Sequence, residues 1–356
     1  MIIIKAYNES YRGKWDAFAL AADDASLFHL TGWKEAVEKT FGHKPHYIMA
    51  TRDEEICGIL PLFEVKSRLF GHALVSVPYG VYGGISTRDE ETAESLRKSA
   101  ETLAGLMEVD YLELRNSTNG SCHLAGLPAR DDLGATNWHG KDLYVTFQKR
   151  ILPTVEENMN AIPRKQRAMV RKAEKSGLSS RIGRLEDLDR FFAIYAQNVR
   201  DLGSPVYPIA FFRALMEGYK DAFILSVWKD GKMVAGVLTF VFRDMLMPYY
   251  GGGLREYFDY AVNDFMYWEL MKYGCEQGSG VFDFGRSKKE TGSYRFKKHW
   301  GFEPTPLDYR CYLVKAMEMP NVSPVNPKYK LMIKVWKQLP LAVTNWLGPK
   351  LVRGIP

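Results

Sequence analysis

D230-G-K-M-V-A-G-V-L-T-F-V-F-R-D-M-L-M-P-Y-Y-G-G-G253 reads as a tight turn, a long apolar strand, a second strand and a run of three glycines. The same order occurs earlier in the chain. D53-E-E-I-C-G-I-L-P-L-F63 leads through A73-L-V-S-V-P-Y79 to Gly83 and Gly84. The correspondence continues beyond the glycines: a helical stretch at about 89–107 precedes V109-D-Y-L-E-L-R115, and one at about 259–276 precedes V281-F-D-F-G-R286. The chain is therefore expected to be an α/β protein built on a weak internal repeat, each copy a mixed, mostly antiparallel sheet flanked by helices. Its 356 residues, 46% of them hydrophobic, suffice for two ordinary cores. The expected division is a first domain at 1–150, a second at 151–318 and a basic, amphipathic tail at 319–356.

Four cysteines, Cys57, Cys122, Cys275 and Cys311, are scattered without close pairs. That spacing supports neither a disulfide framework nor a CxxC-type metal site. The short apolar run after Met1 lacks a cationic leader, and the longest nearly unbroken apolar stretch, 233–242, is too short to span a bilayer. A cytoplasmic protein is expected, with peripheral contact at the inner face of the membrane if the tail meets lipid.

The net charge of +6 is unevenly spread. Residues 149–184 carry +7, residues 286–298 carry +5, and residues 319–356 carry +6 with no acid at all, which leaves −12 for the remainder. Such polarity points to an anionic partner: a phosphate-bearing donor, a lipid surface or RNA. In I162-P-R-K-Q-R-A-M-V-R-K-A-E-K-S-G177, proline and glycine frame a helix. Arg164, Arg167, Arg171 and Lys175 share one face, and Ile162, Met169 and Ala173 are expected towards the core. That face is either an ordinary solvated one or a site for phosphates or an acceptor. The tail, K328-Y-K-L-M-I-K-V-W-K-Q-L-P-L-A-V-T-N-W346, mixes lysine with apolar residues and tryptophan. It reads either as an interfacial anchor or as helices packed on the second domain.

Several catalytic motifs are excluded. Asp283-Phe284-Gly285 spells the kinase metal triplet, yet no H-R-D loop or V-A-I-K strand accompanies it. No G-x-x-x-x-G-K-S/T, G-x-S-x-G or H-E-x-x-H occurs, and His43 and His46 around Pro45 suit a structural role better than a metal site. The stretch left to carry chemistry is V281-F-D-F-G-R-S-K-K-E-T-G-S-Y-R-F-K-K-H-W-G-F302 together with the glycines before it. A strand that passes through a flexible glycine loop at 251–253 into a helix N-terminus presents N–H groups to an anion or a carbonyl oxygen.

The order Y249-Y-G-G-G253, W268-E-L, F282-D-F-G-R286 and F296-K-K-H-W-G-F302, with F28-H-L-T-G-W33 and R164-K-Q-R-A-M-V-R-K-A-E-K175 in the first part, resembles the FemAB-type transferases. These are tandem-GNAT-fold proteins related to FemA, FemB and FemX, and the likeness is greatest to members accompanying exopolysaccharide and PEP-CTERM/exosortase systems. It spans roughly residues 25–312. It implies two tandem GNAT-like domains and transfer of an acyl or aminoacyl group, from acyl-CoA or aminoacyl-tRNA, to an amino group on a cell-envelope, peptidoglycan or exopolysaccharide precursor. No permanently bound cofactor or metal is implied.

By the resemblance, Lys297 matches the family's functional lysine, placed against the donor's reacting carbonyl, where a cation would stabilise an oxyanion. Asp283 at the strand end either orients the loop, accepts a proton or is a structural carboxylate. Tyr249, Tyr250 and Tyr294 are candidate hydrogen-bond donors. Gly251, Gly252, Gly253, Arg286, Phe296 and Lys298 are the candidate donor-binding residues, with Lys288 a further candidate for its phosphates. Arg164, Arg167, Arg171, Trp33 and Tyr207 are candidates for acceptor or phosphate binding. The sequence departs from the family's nucleotide-muropeptide pattern: Glu35 and Val37 follow Trp33, and Tyr207 precedes Pro208, where characterised members carry cationic contacts. It also lacks a coiled-coil arm and the R/Q-x-x-G-x-G/A loop of ordinary CoA-dependent relatives. Two other classes fit the same residues: a non-catalytic polysaccharide- or partner-binding module on duplicated folds, and an RNA-binding protein.

Overall fold

A computed structural model describes residues 1–67, 70–117, 137–319 and 327–355. Cys122 lies outside the described residues. In chain order the strands and helices are β1 Ile3–Ala6, α1 Arg12–Ala21, α2 Thr31–Phe41, β2 Lys44–Pro45, β3 Ile48–Arg52, β4 Glu55–Leu60, β5 Phe63–Ser67, β6 Gly71–Val75, β7 Ser86–Thr87, α3 Glu90–Leu106, β8 Tyr111–Asn116, β9 Trp138–Lys141 and β10 Tyr144–Arg150. They continue with α4 Val155–Ala161, α5 Arg164–Glu174, β11 Ser179–Gly183, α6 Leu188–Leu202, α7 Ile209–Gly218, β12 Phe223–Lys229, β13 Lys232–Phe242, β14 Met245–Gly253, α8 Val262–Glu276, β15 Val281–Asp283, β16 Ser287–Lys288, α9 Gly292–His299, β17 Pro304–Pro306, β18 Asp308–Leu313, α10 Pro327–Trp336 and α11 Leu341–Val352.

The chain forms two units. The first comprises residues 1–143, 306–326 and 353–356, and the second residues 144–305 and 327–352. Strand order in the first unit is β1-β3-β4-β7 in one sheet and β2-β5-β6-β8-β18-β9 in another. In the second unit it is β11-β12-β13-β14-β15-β10-β16, with β17 on β10. The repeat read from the sequence is visible in the pairing: β6 runs parallel to β8, and β14 runs parallel to β15, each across the helix that joins them. Each unit then adds an antiparallel strand beside that pair, β18 against β8 and β10 against β15. Both additions come from far along the chain, so the unit boundaries are not contiguous in sequence.

Local chemistry sets these elements. The two-residue turns at Asp53-Glu54 and Asp230-Gly231 both hold positive φ, the twist that hairpins favour. Asp89 caps α3 by accepting from Thr92 N at 2.8 Å. From there Ala93, Leu96, Ala100 and Ala104 recur at helical spacing and are buried, the last three in a core shared with Leu112 and Leu114 of β8. On β8 and its neighbours the fully buried Glu113 accepts from Arg115 Nε at 2.7 Å and from Lys141 Nζ, and these cations hold its carboxyl well below the usual range. Tyr7, Trp15, Tyr47 and Phe63 pack ring against ring in the same unit.

In the second unit Phe147, Phe223, Leu225, Val237, Leu246, Trp268 and Phe282 share one core. Each such large side chain contributes on the order of 1.5–3 kcal/mol by leaving water. Helix α5 lays Gln166, Val170 and Ala173 inward, with Met169 only half-buried. Ile162 and Ala173 lie inward as expected and Met169 packs half-buried on the same core, while Val170 and Gln166, whose buried partner Asp264 is on α8, complete the inward face.

Helices α10 and α11 of the tail fold back on the second unit rather than standing free. Trp336 is buried and its indole N–H donates to Ser204 O at 3.1 Å, while Arg200 Nη1 donates to Leu339 O at 3.0 Å. Among the described residues no helix is long and apolar enough to cross a membrane.

Candidate active site

Strand β14 departs from its neighbour early. It pairs with β15 only at Met245–Val281 and Leu246–Phe282, then runs on to Gly253 while β15 ends at Asp283. Among the described residues no strand pairs β14 on that side beyond Leu246. Two local features mark the parting. Pro248 has no N–H to offer a neighbouring strand, and prolines inside strands are confined to edges and bulges. The β13–β14 register also shifts, with Leu238 opposite Tyr250 and Thr239 opposite Pro248, so Tyr249 is the extra residue of a bulge.

The bulge turns Tyr250 into a cage of rings. Tyr249, Phe212, Tyr207 and Tyr195 lie with ring centroids 4.7, 5.0, 5.6 and 6.0 Å away. The Tyr250 hydroxyl is buried and has no hydrogen-bond partner among the described residues. Burial raises its pKa well above 10, with the nearby Arg286 charge acting weakly the other way, so the hydroxyl keeps its proton at neutral pH. Thr239 Oγ1 and Ser287 Oγ are likewise buried and unpartnered. Buried hydroxyls left unpaired cost free energy unless something outside the chain pairs them.

The segment after β15 forms a clasped loop. Asp283 Oδ1 accepts from Gly285 N at 2.7 Å, and Asp283 Oδ2 accepts from Gln148 Nε2 at 3.1 Å. Gly285 has φ of +66°, a conformation glycine adopts without strain. From the other end, Lys297 on α9 reaches back under the loop. Its Nζ donates to the carbonyls of Phe284, Gly285 and Arg286 at 2.6, 3.0 and 3.2 Å. An ammonium has three protons to give, and all three are spent on the main chain. Burial pushes the Lys297 pKa down to about 7, with Asp283 pulling it up and Arg286 adding to the fall. Arg286 itself stacks over the Tyr144 ring at 4.6 Å.

The expected site residues fall into three groups. Asp283, Arg286 and Lys297 are brought together in the loop after β15, and the Arg286 charge acts weakly on Tyr250 of β14. Phe296 is half-buried against Tyr267 and Trp300, and Tyr294 is half-buried against Phe147, so both help to hold α9 in place. Lys298 is exposed on the same helix. Arg164 and Arg171 are exposed on α5, and Arg167 donates to Asn160 Oδ1 at 3.2 Å. Tyr207 belongs to the Tyr250 cage.

Two expectations are corrected. Gly251, Gly252 and Gly253 are not a loop: they continue β14 and pair with Val237, Gly236 and Ala235. They are glycines because helices press on both faces there. A Cβ on Gly252 would lie 2.9 Å from Asn198 of α6, and one on Gly253 2.9 Å from Asn263 of α8. Trp33 is fully buried, donates its indole N–H to Pro78 O at 3.2 Å and packs on Phe28, which leaves no ring face for an acceptor.

One residue escaped the sequence reading. Asp264, in the first turn of α8, is buried and accepts from Gln166 Nε2 and, at 3.0 Å, from Trp300 Nε1. Burial raises its pKa. It ties α5, α8 and the end of α9 together; an acid just inside a helix start was its only signal.

Residues 164–298 match the family model described as the acetyltransferase (GNAT) domain. Among solved structures, FemX is similar with a TM-score of 0.67 at 18% identity, over 93% of this chain and 100% of that one. A tandem GNAT protein from the clavulanic acid biosynthesis pathway gives 0.55 at 12% identity, over 89% and 100%. L-PGS from Bacillus licheniformis gives 0.54 at 14% identity, over 92% and 97%. No curated protein matches the chain in sequence. Residues 164–298 of the second unit are thus a GNAT acyltransferase domain. The chain as a whole has the FemAB-type tandem-GNAT fold.

Proposed function

We propose that the chain transfers an acyl or aminoacyl group to an amino group on a cell-envelope, peptidoglycan or exopolysaccharide precursor, with the reacting centre where β14 and β15 part. The observation that carries this reading is the unpartnered, buried Tyr250 hydroxyl beside a strand edge that has lost its neighbour. A donor carbonyl laid along that edge would meet main-chain N–H groups and the hydroxyl together.

The chemistry is a displacement at a carbonyl carbon. The acceptor nitrogen's lone pair forms the C–N bond, the carbonyl oxygen takes up negative charge, and collapse breaks the C–S bond of a thioester or the C–O bond of an aminoacyl ester. The leaving sulfur or oxygen takes a proton from Tyr250, which is replenished by the proton that the attacking nitrogen sheds. Lys297 is a positioning residue in this scheme: it fixes the Asp283–Arg286 loop through three carbonyls rather than meeting the donor itself. Acyl-CoA and aminoacyl-tRNA both fit as donor. The exposed Arg164, Lys165, Arg171, Lys172 and Lys175 on and beside α5 favour a polyanionic carrier.

The test is thermal stabilisation of the protein by acetyl-CoA, longer acyl-CoAs, and charged and uncharged tRNA, run in parallel on Tyr250→Phe and Lys297→Met. Saturable stabilisation by one donor class identifies it. Acyl transfer to a model amine that Tyr250→Phe slows by on the order of a hundredfold supports the catalytic reading. Donor binding without transfer to any amine, unchanged in both variants, would make the protein a binding module.

A further inference from the structure

Helices α10 and α11 each have two faces. Inward, Trp336, Thr344, Gly348 and Val352 are buried, with Gly348 pressed against Val206. Outward, Leu331, Met332 and Val335 of α10 recur on one stripe and are 72%, 58% and 53% exposed. Lys334 and Lys337 are exposed on and just after the same helix. On α11 Trp346 is 65% exposed, and Lys350 Nζ lies 3.7 Å from its ring centroid. Leu202, at the end of α6 where α10 packs on Gly203, adds a further exposed apolar side chain.

Large apolar groups gathered this way on a folded surface call for a cover. The charge says which. Residues 319–356 hold six cations and no acid. Protein interfaces deplete lysine, whereas a lipid headgroup layer accepts lysine, leucine and tryptophan side by side: the ring and aliphatic carbons enter the acyl boundary and the ammonium groups meet phosphate.

We propose that the outward faces of α10 and α11 are an interfacial anchor that seats the second unit on the surface of an anionic lipid bilayer. The inference does not depend on the acyl-transfer reading. It is tested by floating the full-length protein with vesicles of phosphatidylcholine alone and of phosphatidylcholine with phosphatidylglycerol, at low and raised salt. The wild type should float with the anionic vesicles, less at raised salt, and poorly with phosphatidylcholine alone. A combined Leu331→Ser, Val335→Ser, Trp346→Ser variant should keep its melting temperature, since all three side chains point outward, and should lose roughly tenfold in vesicle affinity. Flotation of the variant equal to the wild type, or failure of the wild type to float, would overturn the proposal. So would a concentration-dependent dimer in analytical ultracentrifugation that the variant loses, because the cover would then be a second copy of the chain.

Discussion

Lys297 Nζ donates to the Phe284 carbonyl at 2.6 Å, joining α9 to the loop after β15. Burial pushes the lysine pKa down from 10.5 to about 7, which fixes the sign of its pH dependence. Below about 7 both folded and unfolded chains hold the proton and the burial penalty is fully present. Between about 7 and 10.5 only the unfolded chain holds it, so stability rises with pH. Relative to Lys297→Met, the wild type should gain up to about 1.4 kcal/mol per pH unit across that window, read from urea melts at several pH values. A constant difference would mean that the lysine does not titrate there.

Tyr250→Phe separates folding from chemistry. The hydroxyl has no partner to lose, so the variant should melt within about 0.5 kcal/mol of the wild type or above it. Turnover should fall by on the order of a hundredfold in a steady-state assay with the identified donor.

Asp264 predicts the opposite pattern. Asp264→Leu leaves the Gln166 amide and the Trp300 indole N–H without an acceptor inside the protein and should cost about 3 kcal/mol in denaturant unfolding. Asp264→Asn keeps an acceptor oxygen and should cost far less. Since the folded pKa is raised, the aspartate's contribution declines as pH rises through the interval above its ordinary value, and the asparagine variant should lack that decline.

Arg164 and Arg171 bear on the carrier. If tRNA is the donor, replacing both with glutamine should weaken binding and lower the slope of log affinity against log salt by about 2, measured by filter binding. Acyl-CoA binding should be unaffected.

The repeat was legible because hairpin turns, strand alternation and helix lengths are local. Asp53-Glu54 and Asp230-Gly231 announce their turns, and α3, α5 and α8 formed close to their expected limits. The helical parts of the tail were legible too, though which of their faces points inward was not. Partnership at a distance did not show in the sequence. Gly251–Gly253 carry the signature of a loop, yet their reason is the approach of Asn198 and Asn263 from other elements. Trp33 stands as an acceptor candidate through the family resemblance alone, while its neighbours in space are Phe28 and Pro78. The basic segment at 286–298 suggested a cluster of substrate-facing cations. The folded chain instead turns Lys297 onto main-chain carbonyls, a pairing at a separation of 13 residues that no local pattern records.

The claim that the donor lies where β14 and β15 part is tested most directly by hydrogen–deuterium exchange with and without the donor that stabilises the protein. The account predicts protection concentrated in peptides covering 247–253 and 283–288, lost in Tyr250→Phe or Lys297→Met. Protection confined to other segments, with these two exchanging unchanged at saturating donor, would contradict it.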